Sequence, residues 1–424
     1  MVEVWLPYGN TEVCLRVPTR NLLETIEPKE GETVEDSSVE VQKAILNPIS
    51  SERLSSLAKP GKTISIVVKN FDESDMELNK MILANIINEL TEAGVKKDDI
   101  NIIVAYDPLS PLRSSLATLS NSDFFGKMKI IQHNPQHGDH VEIGKTSFGT
   151  KLILNRTFVE SDIKITVGFV EPHIYAGYSG CKDAIIPGIS NVITIRKNQI
   201  LAFHPKARSG VIYGNPVHED MVEAESLAGV DFSVNVVRNC KRKVYKVFAG
   251  DPQKSFISGV RTLDGLCKAK VGQKADIVFS SPGGHPYDDD LRKSIARVID
   301  ALEFLKKNGV LVLVAECSRG YGDEEFFFIA KNFKNPDFLI KKLKKKFTFS
   351  GYLLYRFLQA KKDAKISMVT ILPDYYIVNI FNIKTYRTVN EALRYAFGEM
   401  GRNAKLTIIP RASFTVPSIS EKNS

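Results

Sequence analysis

The sequence lacks the features that mark several large protein classes. Its five cysteines are far apart and include no CxxC pair, which argues against both a disulfide framework and a zinc site. No apolar run approaches the roughly 18 residues that a membrane-spanning helix needs, and the first ten residues lack the basic region and apolar core of an export signal. We therefore expect a cytoplasmic protein with reduced cysteines and no membrane partner.

The sequence also lacks the pattern of a nucleic-acid binder. The net charge is +8, but the basic residues are scattered apart from a run at 341–346, which is typical of a solvated helix face. A small anionic ligand, phosphorylated or carboxylated, is compatible with this charge. No GxGxxG follows a predicted strand, and Gly144-Lys145-Thr146 lacks the first glycine of a phosphate-binding loop.

The length and the apolar pattern predict the fold class. A chain of 424 residues exceeds the roughly 250–300 residues at which a single core stops growing. Short β-rich runs alternate with longer amphipathic stretches, which is typical of βαβ units and mostly parallel sheets flanked by helices. We expect an α/β fold with two domains, 1–270 and 271–403, separated by a cleft. A final strand and tail, 404–424, could return to the N-terminal domain.

The predicted elements indicate where a ligand site should lie. Strands are predicted at 63–68, 100–105, 128–132, 163–170, 275–280 and 310–315, and helices at 77–93, 111–119, 290–306, 323–331, 353–361 and 390–400. In open α/β sheets, ligands bind outside the carboxyl ends of the strands. Residues that directly follow the predicted strands are therefore the candidate site residues.

Two clusters have a composition that can bind cations. His133, His137 and His140 have metal-like spacing, but they lie in a predicted loop without a helix to aim them together, so a solvated polar loop is the alternative. The acidic run at 288–290 could bind a cation or cap the helix predicted after it. Capping is favoured because aspartate is preferred at the start of helices.

The segment 171–188, EPHIYAGYSGCKDAIIPG, is the most informative in the chain. It contains a histidine, a lysine, an aspartate and three glycines directly after a predicted buried strand. Glycines let a backbone approach a ligand closely, and a histidine at a strand end is well placed for acid/base chemistry. The alternative is a glycine-rich turn with a hydrogen-bonded histidine.

This segment, continued by IS, resembles the most specific stretch of the nickel-dependent lactate racemase family. Other motifs of that family recur in the same order: PYG at 7–9, NPI at 47–49, GK at 61–62, SPGG at 281–284, AEC at 315–317, GYG at 320–322 and AKLTIIPRASFTVP at 404–417. The resemblance covers essentially the whole chain. It implies the family's two-domain α/β fold.

The resemblance also implies an activity, namely racemisation or epimerisation of a small 2-hydroxy acid. The family's cofactor is a nickel-pincer nucleotide, which takes a hydride from C2 of the substrate and returns it to the other face. Two histidines exchange the hydroxyl proton, a third binds nickel, a lysine anchors the cofactor covalently and an arginine holds the substrate carboxylate. Imidazole suits the first role because it titrates near neutrality, and guanidinium suits the last because it pairs with carboxylates in a bidentate way.

This sequence departs from the family at several of these positions. Tyr106 aligns with the first acid/base histidine, whereas His173 matches the second. Asp183 aligns with the anchoring lysine, although Lys182 is its neighbour, and Gln199 aligns with the nickel-binding histidine. The family's Asp-x-Thr-Arg corresponds to DESD at 72–75, and Arg292 aligns with a helical tyrosine. The resulting candidates are His173 and Tyr106 as catalytic residues, and Asp72, Gly180, Lys182, Asp183 and Arg292 as cofactor-binding residues.

Two classes of function remain open. The first is an isomerase-like enzyme that uses His173 with Tyr106, Lys182, Asp183, His285 and Arg292. The second is a binding or regulatory protein on the same scaffold, without nickel or without catalysis, which the change at the anchoring position favours. The fold alone does not distinguish them, because functional sites are grafted onto folds.

Overall fold

The computed structural model of the protein describes residues 1–69, 75–108, 124–126 and 128–418. The chain forms two compact units. The first, here called the split unit, contains Met1–Lys29 and Cys267–Ser424, and the second, the continuous unit, contains Glu30–Leu266. Among the described residues, no helix has both the length and the apolar character needed to cross a membrane.

Helices and strands are numbered along the chain. The split unit begins with β1 (Val2–Tyr8), β2 (Thr11–Val17) and β3 (Leu22–Thr25). The continuous unit contains α1 (Ser37–Leu46), α2 (Leu54–Leu57), β4 (Ile64–Val68), α3 (Met76–Glu92), β5 (Ile100–Val104), β6 (Lys129–Gln132), β7 (His140–Lys145), β8 (Lys151–Asn155), α4 (Arg156–Glu160), β9 (Ile163–Val170), β10 (Pro172–His173), β11 (Gly177–Tyr178), α5 (Val192–Gln199), α6 (Pro216–Ala228), β12 (Phe232–Arg238), β13 (Val244–Gly250) and α7 (Pro252–Cys267). The split unit resumes with β14 (Lys268–Lys270), β15 (Ala275–Ser280), α8 (Leu291–Val298), β16 (Leu305–Val314), α9 (Glu324–Asn332), α10 (Pro336–Lys345), α11 (Phe349–Asp363), β17 (Ala364–Val369), β18 (Lys384–Tyr386), α12 (Val389–Met400), β19 (Leu406–Ile409) and β20 (Val416–Ser418).

A six-stranded sheet in the order β13-β12-β9-β4-β5-β6 forms the centre of the continuous unit. The strands from β12 to β6 are parallel, and β13 is antiparallel at the edge. All residues of β4 and β12 are buried, as expected for parallel strands that are covered on both faces. Helix α3 contributes apolar side chains at helical spacing to the same core, namely Ile82, Leu83, Ile86, Ile87 and Leu90.

The split unit contains a second six-stranded sheet in the order β18-β17-β16-β15-β19-β3, in which all neighbours are parallel. Its core includes residues of the N-terminal strands, such as Leu6 and Leu15, together with Phe279 and Val312. The predicted α/β class with mostly parallel sheets is therefore confirmed.

The two units divide the chain differently from the predicted domains. Residues 1–29, which we assigned to the N-terminal domain, pack with the C-terminal part of the chain. The final strand β19, which could have rejoined the N-terminal domain, pairs with β15 and β3 in the split unit. A local sequence pattern predicts that a strand forms, but it does not predict which strand lies beside it. Strand pairing depends on contacts between residues that are distant in sequence.

The predicted helix at 290–306 is shorter in the structure. Helix α8 ends at Val298, a 3-10 turn follows at Ile299–Phe304, and β16 already begins at Leu305. The strand begins early because Leu305 pairs with Ala275 across the sheet. The helix predicted at 111–119 lies outside the described residues.

A close backbone contact holds the glycine-rich turn against β9. A Cβ atom on Gly168 of β9 would lie 2.9 Å from the carbonyl carbon of Gly180, closer than packed atoms tolerate. Gly168 therefore needs the absence of a side chain, which lets the segment after β11 lie directly on the sheet. A Cβ atom on Gly180 would instead lie 2.6 Å from the ring of Phe256.

We predict that Gly168→Ala destabilises the protein by about 1–3 kcal/mol, the usual range for overpacking a dense core. Gly265→Ala in α7 is the matched control, because nothing lies within 4 Å of its added Cβ and alanine favours a helix by up to about 1 kcal/mol. Urea denaturation of both variants should give changes of opposite sign. Equal changes would mean that the turn does not approach β9 closely.

Candidate active site

The candidate site lies at the carboxyl ends of the parallel strands in the continuous unit. Strand β9 ends at Val170 and is followed by Glu171, His173 and the glycine-rich turn. A 3-10 turn at Cys181–Ala184 then carries Lys182 and Asp183, both of which are buried. Since Lys69 directly follows β4, the neighbour of β9 in the sheet, the topology brings these charged groups together.

The carboxylate of Asp183 is shared by two lysines. One carboxylate oxygen accepts a hydrogen bond from Nζ of Lys69 at 2.6 Å, and the other accepts from Nζ of Lys182 at 2.9 Å. Nζ of Lys182 also donates to the carbonyl oxygen of Tyr178 at 2.5 Å. The side chains of Lys182 and Asp183 are only 1% and 2% exposed, so this Lys69–Asp183–Lys182 triad is held away from water.

Opposing electrostatic effects set the charge states in the triad. Burial by itself raises the pKa of Asp183, but Lys182, Lys69 and His173 together outweigh it and hold that pKa well below its ordinary value. Burial by itself lowers the pKa of Lys69, but Asp183, Asp107 and Glu171 outweigh it and raise that pKa. Both groups therefore stay charged at neutral pH, which a buried pair requires to offset its desolvation.

His173 has a fixed ring orientation. Its Nδ1 atom accepts hydrogen bonds from the backbone N–H groups of Ala176 at 3.1 Å and Tyr175 at 3.4 Å. Because a backbone N–H can only donate, Nδ1 carries no proton and the neutral ring has its hydrogen on Nε2. The ring packs edge-to-face against Tyr175 at 4.5 Å, and the hydroxyl of Tyr175 accepts from the side-chain amide of Gln199 at 3.2 Å.

A second ion-pair cluster lies at the same edge of the sheet. Arg238, the last residue of β12, donates to the carboxylates of Asp75 and Glu171, and its guanidinium lies 4.1 Å from the ring centre of Phe169. Arg242 donates to the same oxygen of Asp75 as Arg238 does. Asp75 is thus an acid bound by two arginines.

Near the triad lie two buried polar side chains that no sequence pattern singles out, Glu225 and His218. Burial raises the pKa of Glu225 to about 8 and lowers the pKa of His218 to about 3, so both are neutral at pH 7. The ring of His218 stacks on Phe256, and Nζ of Lys182 lies 4.8 Å from the centre of that ring. Both residues lie on α6, where nothing in the helical pattern distinguishes them from core positions.

The structure brings some of the predicted site residues together. His173, Gly180, Lys182 and Asp183 share the turn after β9, and the backbone N–H of Tyr106 donates to the carbonyl oxygen of Gly188 at its end. Asp72 lies outside the described residues. Lys69 and Arg238 were missed, although both stand at the ends of strands.

Arg292 and His285 belong to the split unit. The guanidinium of Arg292 donates to Asp323 and, at 3.3 Å, to the hydroxyl of Ser350. Nδ1 of His285 lies 2.6 Å from a carboxylate oxygen of Asp289. Each of these side chains thus has a partner within its own unit.

The two clusters with cation-binding composition have structural roles. His133 is buried and its Nε2 donates to the carbonyl oxygen of Ser190 at 3.0 Å, so the expected solvated loop is wrong at this residue, and burial lowers its pKa to about 4. Asp290 caps α8 by accepting from the N–H of Lys293 at 2.8 Å, which confirms the capping interpretation. Among the described residues, no group of three or more His, Cys, Asp and Glu side chains is arranged to hold a metal ion.

Comparison with known protein families identifies the class of this two-domain α/β protein. Residues 8–210 match the lactate racemase N-terminal domain family, and residues 271–416 match the lactate racemase C-terminal domain family. The chain belongs to the lactate racemase family, as the resemblance predicted.

Individual relatives agree with this assignment. The chain is 28% identical to the lactate racemase of Thermoanaerobacterium thermosaccharolyticum and 27% identical to that of Lactiplantibacillus plantarum, in each case over 97% of this chain and 98% of the relative. The solved structure of the lactate racemase apoprotein from Thermoanaerobacterium thermosaccharolyticum superposes on this chain with a TM-score of 0.87 and 27% identity. The superposition covers 98% of this chain and 100% of the solved chain. A Thermotoga maritima protein with a TM-score of 0.65 and 15% identity, which covers 92% of this chain and 100% of its own, shares the fold.

At the two positions that the resemblance aligns with the anchoring lysine and the nickel-binding histidine, the residues do not fit a lysine-anchored nickel cofactor. Asp183 stands at the anchoring position, and both of its oxygens accept hydrogen bonds from lysines. Its neighbour Lys182 is 1% exposed, and its ammonium is bound to a carboxylate and a carbonyl, which leaves it poorly placed to react. Gln199 stands at the nickel-binding position, and its amide donates to a tyrosine hydroxyl.

We predict that Asp183→Asn lowers the free energy of unfolding by about 3–5 kcal/mol at pH 7, because it leaves two buried lysines without their carboxylate. The folded-state pKa of Asp183 is depressed, so its contribution is present above the unfolded pKa, roughly 4, and is lost as the pH falls towards the folded value. Urea denaturation from pH 7 to pH 2.5 should show the difference shrinking.

Glu142→Gln is the control for this substitution. Glu142 pairs with Lys151 at 3.6 Å, but the two side chains are 51% and 59% exposed. Removing such a surface pair changes stability by at most about 1 kcal/mol. If the two variants are equally stable, the triad does not contribute as a buried ion pair.

Proposed function

We propose that this chain binds a small 2-hydroxy acid at the carboxyl ends of the strands in the continuous unit, and that His173 donates a hydrogen bond from Nε2 to the ligand. The proposal does not include the family's hydride step, since the resemblance aligns an ion-paired aspartate, Asp183, with the anchoring lysine. The observation that carries the proposal is the ring orientation of His173: its Nδ1 accepts from two backbone N–H groups, so the neutral ring can donate only from Nε2.

The surroundings of His173 support this role. The ring is partly exposed, and it interacts electrostatically with the carboxylate of Asp183. Because Nδ1 accepts and Nε2 carries the hydrogen, the ring can bind a ligand as a hydrogen-bond donor without a change of protonation.

The charges at the same edge support binding of a carboxylate. Arg242 at this edge carries a guanidinium group that is 18% exposed, whereas Lys69 and Arg238, 9% and 2% exposed, are buried in ion pairs. Guanidinium groups match the geometry of carboxylates. Full-length likeness to two lactate racemases favours lactate as the first probe.

We predict that His173→Asn weakens binding of D- and L-lactate by about tenfold, the effect of losing one hydrogen bond of about 1.4 kcal/mol. Isothermal titration calorimetry measures this, and the exposed His137→Asn is the matched control. Wild-type protein that binds neither enantiomer, nor any acid in a panel of 2-hydroxy acids, would refute the proposed function.

We also predict that the protein carries no cofactor adduct after coexpression with the enzymes that make the nickel-pincer nucleotide. Intact mass and the mass of the peptide containing Lys182 and Asp183 test this directly. An added mass on Lys182, together with bound nickel and racemisation of lactate by chiral chromatography, would favour the nickel-dependent racemase instead.

A further inference from the structure

A cavity of about 370 Å³ lies at the amino-terminal ends of β15, β16 and β17 in the split unit. Its lining begins at Lys274, just before β15, and includes the first residues of β16 and β17, Leu305 and Ala364. None of the lining residues belongs to the continuous unit, so the candidate active site does not account for this cavity. Its volume is within the range of small-molecule sites, roughly 300–1,000 Å³.

Positive charge predominates in the lining. Lys274, Lys306, Lys307 and Arg356 contribute four cations, against two acids, Glu303 and Asp363. Within the described part of the chain, neither Lys274 nor Arg356 has a carboxylate within 4.0 Å, whereas Lys306 pairs with Asp276 and Lys307 with Asp363.

Arg356 is the more informative of the two cations without an ion pair. It is only partly exposed, and one guanidinium nitrogen donates to the hydroxyl of the buried Tyr352 at 3.0 Å. Charged groups that leave water usually pair with an opposite charge. The carboxylate of Asp300 also acts on this guanidinium electrostatically, but among the described residues no carboxylate lies within 4.0 Å of it. An arginine without a direct ion pair in a recess is therefore suited to an anionic ligand.

A bulge in β16 forms part of the cavity wall. Leu305 pairs with Ala275, but pairing resumes only between Val310 and Ile277, so that the residues between them on β16 outnumber those on β15. Asn308 in this bulge has a left-handed backbone, with φ of 63°. Bulges of this kind redirect side chains and are frequent next to binding sites.

Apolar residues line the cavity as well. They are Ile299, Leu302, Leu305 and Ala360. The two acids and the carboxyl end of α11 reduce the positive potential, so an inorganic anion would gain little here. A ligand that also buries an apolar body gains roughly 25 cal/mol for each Å² of apolar surface removed from water.

We propose that this cavity is a binding site for an organic anion, a molecule with an apolar body and one sulfonate, phosphate or carboxylate group, and that Lys274 and Arg356 bind the anionic group. The site is independent of the function proposed for the continuous unit. Either proposal can fail without the other.

A matched pair of fluorescent probes tests the proposal on the full-length protein. Anilinonaphthalene sulfonate has an apolar body and a sulfonate, and N-phenyl-1-naphthylamine has the same body without the charge. Lys274→Glu should raise the Kd of the sulfonate by about tenfold, the effect of losing one charge-assisted contact, and should leave the Kd of the uncharged probe unchanged. Lys274 is exposed, so this substitution should not disturb folding.

Two further variants complete the test. Arg356→Lys keeps the positive charge but loses the planar guanidinium group. It should raise the Kd of the sulfonate probe by less than Lys274→Glu does. Lys145→Glu, an exposed lysine of the continuous unit, makes the same charge reversal outside the cavity and should have no effect. Unchanged sulfonate binding in Lys274→Glu, or an equal loss in Lys145→Glu, would overturn the proposal.

Discussion

The hydrogen bonds between one aspartate and two lysines constrain the whole candidate site. Asp183, Lys69 and Lys182 are nearly inaccessible to water, and isolated charges in such a place would cost several kcal/mol each. The triad avoids this cost only if its members keep their positions. The end of β4 and the turn after β9 are therefore fixed relative to each other by charge as well as by packing.

Much of this arrangement follows from the order of the strands. Because β4 and β9 are parallel neighbours, the residues after both strands meet at one edge of the sheet. Gly168 then allows the turn to lie on β9, which brings Asp183 within reach of Lys69. Sequence reasoning could predict the edge, since both strands are strongly apolar and end in polar residues. It could not predict the lysine partners, because a pattern within one segment carries no information about which strand lies beside it.

Other differences between sequence and structure arise from contacts between residues that are distant in sequence. The neighbouring asparagine, proline and glycine predict a loop around the histidines at 133 and 140, yet His133 is buried against Ser190, a residue far along the chain. Residues 1–29 were assigned to the domain nearest in sequence, although β3 pairs with β19. Helix α3 and strand β9 were predicted almost to the residue, because their apolar periodicity is strong and does not depend on distant partners.

The resemblance to the lactate racemase family aligns two acids at this edge with family positions of opposite charge, and each acid is neutralised by two cations. Asp75 is bound by Arg238 and Arg242, and Asp183 by Lys69 and Lys182. Stability alone is a sufficient reason for this pairing, because a buried acid without a partner would destabilise the fold whether or not the site binds anything. The ion pairs are therefore no argument for catalysis. His173 is different, because its ring is oriented by two backbone N–H groups and yet remains partly exposed. The case for a functional site thus depends on this histidine and on the partly exposed Arg242, while the buried ion pairs account for the stability of the surrounding fold.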